Sequence, residues 1–305
     1  MDAFRTPLPF PISAPVAVVV SALAFGVGCG DNTYQPRVIC HNANCQEPAD
    51  PENDSLMWTL EQSMELVDSE RQRPPFDGIE LDTFWSGEEE RCLMAHDLDN
   101  PDEAVDAIDA VEAVNDALVQ RTEDELPLTR HHDEFTLLIE LKGFVTDNKA
   151  DAHSDRQRQL HAECVIDMAR ETIASAQDHD YDVEIIVMAF DPRLLVEIDE
   201  SPDYHQFRDG PHRVRMSALQ GIPRPLDSQS VPLDQYPDDI GIDMVSTHPK
   251  WTQSADLQAY DSRNWDLGFW SFNLMPDVLD AIERHRPDYI TTSQAPSVSG
   301  WLDRR

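Results

Sequence analysis

The chain has 305 residues, a formal net charge of −36 and 40% hydrophobic residues. An acidic excess of that size excludes nucleic acid as a partner, because displacing counterions from a phosphate backbone takes a basic face, and it disfavours electrostatic docking on anionic lipid. The apolar content suffices for a sizeable core, and 22 prolines against 11 glycines fit a loop-rich globular chain rather than a collagen-like or linker-dominated one.

Residues 1–28 read as an export signal. The apolar run over 16–28 has the length of a signal-peptide core, whereas a bilayer span needs roughly 20 apolar residues. It ends in Gly-Val-Gly directly before Cys29, which resembles a bacterial lipoprotein signal with Cys29 as the lipidated residue. Two features depart from that pattern: Gly26 stands where such signals carry Leu, and Arg5 is the only basic residue of the segment. An ordinary secretory signal or a membrane anchor are the alternatives, and all three place the chain in the bacterial cell envelope or outside it. Residues 29–36 form a tether, and 37–305 one domain. Without Cys29, four cysteines remain (Cys40, Cys45, Cys92 and Cys164), and an even number in an exported protein suggests disulfides.

Along the rest of the chain, strand and helix patterns alternate. A short apolar run at 37–41 precedes a polar loop with Pro48 and Pro51, and 55–67 has helical spacing. Residues 78–85 alternate like a strand, 91–95 make a short hairpin partner, and 104–118 are an acidic, Ala-rich helix. FTLLIEL at 135–141 is a strong strand, 156–176 a helix, and VEIIVMAF at 183–190 the clearest buried strand. Weaker strands follow at 214–219, 241–247, 267–272 and 289–292, with a helix at 276–285 between the last two. The Pro- and Asp-rich stretch 221–239 reads as a long loop. About eight β units in this rhythm predict a (β/α)8 barrel, with a doubly wound sheet as the alternative.

Polar residues fall at the ends of these strands. His41-Asn42 follows the first. Glu80 and Asp82, two apart, share one face of the second; His96-Asp97 ends the hairpin; Glu140 and Lys142 again share a face. Each element alone fits a solvated edge or a capping pair. Their order at successive strand ends is what points to a site, because such ends converge on the mouth of a barrel. Three carboxylates there call for a divalent cation, an Asn carbonyl can add a ligand, histidines supply acid and base near neutral pH, and a lysine contacts an anion.

At this point the chain resembles the phospholipase-C-like phosphodiesterase superfamily, most closely its glycerophosphodiester phosphodiesterases. The motifs are His41, then Glu80-Leu81-Asp82, His96-Asp97 and Ile139-Glu140-Leu141-Lys142. Pro51-Glu52-Asn53 is similar to the family's P-E-N-T, the segment from Trp265 to Asn273 to its W-T-V-N strand, and the segment from Pro287 to Pro296 to its closing G-V-D-G-I-I-T-D-x-P. The resemblance runs from about Val38 to Trp301, with only the rhythm matching between 150 and 240. It implies a (β/α)8 barrel that hydrolyses a glycerophosphodiester to an alcohol and glycerol 3-phosphate. It further implies one divalent cation, Ca²⁺ or Mg²⁺, on Glu80, Asp82 and Glu140, with His41 and His96 as the acid–base pair. Lys142 would touch phosphate and Trp270 would wall the pocket.

Two departures bear on the substrate. The family's H-R-G is His41-Asn42-Ala43 here, which is similar instead to phosphatidylinositol-specific phospholipases C, whose Asn is a calcium ligand. The compact stretch after His96 lacks an R-T-T-N-type signature and resembles sphingomyelinase-D-like enzymes. A phospholipase C- or D-like activity on phosphatidylinositol or sphingolipid head groups is therefore the alternative, and a non-catalytic binding lipoprotein a third reading. The expected partner is a small phosphodiester or a lipid head group, with the membrane reached only through the N-terminal anchor, and the chain a monomer. With both histidines at one mouth, a Cys45–Cys92 disulfide is expected, because Cys45 follows His41 by four residues and Cys92 precedes His96 by four; Cys40–Cys45 is the alternative.

Overall fold

The first strand, β1 (Arg37–Cys40), is only four residues long, yet it closes the molecule by pairing in parallel with β10 (Tyr289–Thr292) on one side and β2 (Gly78–Ser86) on the other. The computed structural model describes residues 34–45, 47, 51–95, 104–142, 154–220, 240–250, 254–271 and 276–304. The expected signal and lipidation site at Cys29, the pair His96-Asp97, the loop 221–239 and Asn273 lie outside these residues. Between β2 and β10 run β5 (Glu134–Leu141), β6 (Asp182–Ala189), β7 (Val214–Gln220), β8 (Met244–Thr247) and β9 (Asp266–Ser271), each parallel to its neighbours. The result is the expected closed eight-stranded parallel barrel. Two further strands, β3 (Arg91–Met94) and β4 (Val105–Asp106), extend β2 outside the barrel. β3 runs antiparallel because the turn before it is too short for the crossover that a parallel strand requires.

The described helices are α1 (Met57–Met64), α2 (Ala107–Glu123), α3 (Asp155–His179), α4 (Pro192–Asp199), α5 (Pro202–Arg208), α6 (Ser254–Ser262), α7 (Pro276–His285) and α8 (Ala295–Leu302). α2 is capped by Asp106, whose carboxylate accepts from Ile108 N, and α3 by a Ser154/Gln157 capping box. Helices α4, α5, α6 and α8, each of nine residues or fewer, had no counterpart in the sequence pattern.

Strand parity sorts the side chains. Odd-numbered residues of β2 and β5, such as Ile79, Leu81, Leu137 and Ile139, enter the core between barrel and helices. The barrel's interior is filled by Ile39, Leu138, Ile186, Met188, Leu219, Met244 and Tyr289. Polar residues of that same inward parity occupy both ends. At the N-terminal end, Arg215 donates to Glu184 at 3.1 Å and to the Tyr289 hydroxyl at 2.9 Å, and that hydroxyl donates to Glu184 at 2.9 Å. This end is sealed by paired charges, and the opposite end carries Glu80, Asp82 and Glu140. Gly78 is required where β2 meets β5, because a Cβ there would stand 2.1 Å from Thr136 O.

Candidate active site

His41 opens a single 3-10 turn, His41–Ala43, immediately after β1. Asn42 and Ala43 both adopt left-handed backbone, at φ 52° and 56°, which for alanine costs on the order of 1 kcal/mol or more and persists only where the surroundings enforce it. Several contacts enforce it. Asp54 accepts from Asn42 Nδ2 at 3.1 Å and from Asn44 Nδ2 at 2.8 Å, Ser63 Oγ donates to Ala43 O, and Ser55 N donates to Asn42 O. The Pro51–Asn53 turn, read from sequence as a family motif, delivers Asp54 to this loop.

A disulfide closes the same loop, and it joins Cys40 to Cys45, with Cα atoms 5.5 Å apart. The expected Cys45–Cys92 bridge is not formed. Cys92 alternates in β3 toward the core between barrel and helices rather than toward the mouth, and it is a buried free thiol. Four residues from a histidine thus did not mean the same wall of the mouth.

The His41 ring is held by Ser293, whose Oγ lies 3.2 Å from Nδ1, and its Nε2 stands 3.7 Å from Glu80 Oε2. Glu80 also accepts the Asn42 backbone N–H at 3.2 Å. The parallel register sets Asp82 level with Glu140 on adjacent strands, and Glu80 lies one step below on the same inward face. Oxygens of these three buried carboxylates lie within 4.8 Å of one another. Lys142, which sequence parity places on the face of Glu140, puts Nζ 3.1 Å from Asp82 Oδ2 and 3.1 Å from Glu140 Oε2.

The electrostatics follow from burial and crowding. Burial first, then the neighbouring Asp82 and Glu140, holds the Glu80 carboxyl well above the usual range. Burial likewise pushes Asp82 up to about 6, against the pull of Lys142. For Lys142, burial opposes the charge but the three carboxylates outweigh it and push its pKa up. One ammonium therefore faces three acids. Asn42 Oδ1 is buried without a hydrogen-bond donor, and the Asp82 oxygens have Lys142 as their cationic neighbour. An all-oxygen donor set with excess negative charge and unsatisfied lone pairs suits a hard divalent cation. Glu80, Asp82 and Glu140 would hold it, with Asn42 Oδ1 as a further oxygen.

Across the barrel, Trp270 lies half-buried in β9, with Nε1 donating to Gln220 O at 3.3 Å. Phe190 meets it edge-on at 6.3 Å, and His248, just past β8, at 4.9 Å. His248 accepts the Lys250 backbone N–H on Nδ1. Sequence reasoning did not single out His248, Asp54 or Ser293. His248 and Ser293 each directly follow a candidate strand, so the strand-end argument used for His41 was their available signal. Asp54 carried none.

No family model matches the sequence, and no curated protein matches it. Solved structures do match in fold. A glycerophosphodiester phosphodiesterase from Parabacteroides distasonis superposes with a TM-score of 0.56 at 14% identity, covering 88% of this chain and 98% of that one. A phosphodiesterase from Oleispira antarctica, solved in complex with the product sn-glycerol-3-phosphate, gives 0.54 at 10% identity over 88% and 97%. A glycerophosphodiester phosphodiesterase from Thermotoga maritima gives 0.51 at 11% identity over 89% and 99%. The chain shares the barrel fold of these solved phosphodiesterases, and it carries a buried acidic triad at the mouth of that barrel.

Proposed function

We propose that the chain is a metal-dependent phosphodiester hydrolase that cleaves glycerophosphodiesters to an alcohol and glycerol 3-phosphate. The observation that carries this reading is the buried Glu80–Asp82–Glu140 triad with His41 against it, at the C-terminal mouth of a barrel shared with glycerophosphodiester phosphodiesterases. The product found in the Oleispira enzyme supports the substrate class. A divalent cation on the triad, Ca²⁺ or Mg²⁺, would supply positive charge beside a phosphoryl oxygen. Lys142 Nζ, held between Asp82 and Glu140, would add its charge to the same side. His41 presents Nε2 to the triad while Ser293 steadies Nδ1, which suits that ring to carry a proton at Nε2. His41 and His96 would divide the two transfers: one deprotonates the attacking hydroxyl, from water or from the substrate itself, and the other protonates the leaving alkoxide. Trp270 would wall the pocket.

A second reading, cleavage of phosphatidylinositol or sphingolipid head groups, is favoured by Asn42, whose free Oδ1 takes the place of the arginine in the glycerophosphodiesterase motif. Hydrolysis of a panel of glycerophosphocholine, phosphatidylinositol and sphingomyelin, followed by phosphorus NMR with Ca²⁺ or Mg²⁺, separates the two. Failure to turn over any of them, or bis(p-nitrophenyl) phosphate, would refute both readings and leave a binding lipoprotein. Export with lipidation at Cys29 belongs to the same proposal, and detergent partitioning of the parent against Cys29→Ser tests it.

A further inference from the structure

With 59 acidic residues against 23 lysines and arginines, carboxylates are in ample supply, yet Arg73 pairs with none among the described residues. Its Nη1 lies 3.1 Å from His131 Nδ1, and its buried Nε has no acceptor. A guanidinium only donates, so Nδ1 accepts and His131 carries its proton on Nε2, 2.8 Å from Asp303 Oδ1. Burial first, then Arg130 and Arg73, pushes His131 down to about 4, so the ring adds no charge near neutral pH. Arg130, with its side chain 2% exposed, donates from Nη2 to Asp303 Oδ1 at 3.2 Å, which leaves its buried Nε and Nη1 without an acceptor. Arg71 donates to Asp303 as well, so that single carboxylate serves two arginines and a histidine. Two further acids adjoin the cluster, and both are engaged by backbone. Asp77, 3.8 Å from Arg130 Nη1, accepts from Val38 N at 2.9 Å and His131 N at 3.1 Å. Asp68, besides its 3.5 Å contact with Arg71, accepts from Glu70 N and Arg71 N. Arg71, Arg73 and Arg130 line one cavity of about 250 Å³, with Ser69 and Ser299 on its wall. It lies on the loops that enter β2 and β5, at the N-terminal end of those strands and away from the mouth that holds the triad. Pockets for drug-sized ligands start at roughly 300 Å³, so this one has room for a small ion or a single head group.

We propose that this cavity is a binding site for a phosphate-type oxyanion, inorganic phosphate or the phosphate of a monoester, held by Arg71, Arg73 and Arg130. A guanidinium presents paired N–H groups that match two oxygens of a phosphate. A tetrahedral dianion offers oxygens in several directions, which suits arginines arriving from two loops. A planar, singly charged carboxylate can satisfy one such fork, and Asp303 already fills that role. Buried charged donors without acceptors are costly, and an oxyanion supplies the oxygens that no side chain there provides. The proposal depends on no assignment of activity, because the cavity includes neither the triad nor His41.

The test uses the full chain in EDTA, so that no cation can hold phosphate at the triad. Inorganic phosphate and glycerol 3-phosphate are titrated separately by calorimetry, with chloride keeping the ionic strength constant. The expected result is a single site per chain, and a melting midpoint that rises roughly 5–10 °C at a hundredfold excess of phosphate over its dissociation constant. Arg73→Gln leaves the Asp303 pairings in place and should weaken phosphate binding about tenfold or more. Glycerol 3-phosphate bound as tightly as phosphate assigns the site to monoesters as well, and phosphate bound alone assigns it to the free ion; either result supports the proposal. Binding of neither, equal affinity in Arg73→Gln, or an equal midpoint shift with acetate overturns it. Arg71→Gln, at a more exposed position, keeps the test decisive if Arg73→Gln does not fold, because it too must weaken phosphate binding.

Discussion

Lys142→Met removes one positive charge from a cluster of three buried acids while keeping most of the side chain's bulk. Nζ lies 3.1 Å from both Asp82 Oδ2 and Glu140 Oε2, and the Lys142 side chain is only 19% exposed. At that distance each pair is worth about 5 kcal/mol of gross attraction at an effective dielectric of 20. Desolvation of the ammonium offsets much of this, and breaking a buried pair by deleting one partner typically costs about 3–5 kcal/mol. Without metal, the variant should therefore unfold about 3–5 kcal/mol more easily than the parent. A divalent cation on the same oxygens replaces the missing charge, and at a hundredfold excess over its dissociation constant it returns about 2.7 kcal/mol. Lys142 also competes with the cation, so the variant should bind Ca²⁺ or Mg²⁺ more tightly than the parent. The assay is urea unfolding of both proteins in EDTA and in graded Ca²⁺ or Mg²⁺, with titration calorimetry for affinity. Equal stability in EDTA, or cation stabilisation no larger in the variant than in the parent, would refute the charge balance drawn for this site.

The raised Asp82 pKa has a signed consequence in the metal-free protein. The folded chain holds a proton up to about pH 6 that the unfolded chain releases near 3.8, so Asp82 contributes a penalty of about 3 kcal/mol above pH 6 that fades as pH falls toward 4. In EDTA, Asp82→Asn should accordingly stabilise the fold most at pH 7 and progressively less toward pH 4, as read by urea midpoints; a pH-independent difference would sink the assignment. In turnover assays, Glu80→Gln, Asp82→Asn and Glu140→Gln should each cut activity by orders of magnitude, and EDTA should abolish it until Ca²⁺ or Mg²⁺ is returned. His41→Ala should lose roughly 10²–10⁴-fold on glycerophosphocholine; retention of most nitrophenyl ester activity would mark it as the acid, and equal losses on both substrates as the base. Gly78→Ala would force β2 away from Thr136 and should lower stability by about 1–3 kcal/mol or prevent soluble expression.

Much of this barrel is legible in the chain because strand parity is local. Alternation of successive Cβ atoms alone puts Glu80 beside Asp82 and Glu140 beside Lys142, whatever the strands pair with. The long apolar runs of β5 and β6 likewise announce strands buried on both faces. Register and closure are not local. Nothing near Asp82 says that Glu140, 58 positions on, stands level with it, and that register is what turns separate acids into one cluster with Lys142 drawn onto it. Glu184 interrupts an otherwise apolar strand, and only the barrel interior shows it paired with Arg215 and Tyr289. Ser293 reaches His41 across 252 positions because β1 and β10 close the barrel side by side. The cysteine pairing went the same way: spacing from the histidines placed Cys92 at the mouth, whereas its parity in β3, set by pairing with β2, turned it into the core between barrel and helices. Local sequence determined which face each side chain takes on its strand. Which faces meet was decided by tertiary pairing, because those contacts join residues whose separation along the chain leaves no periodic trace.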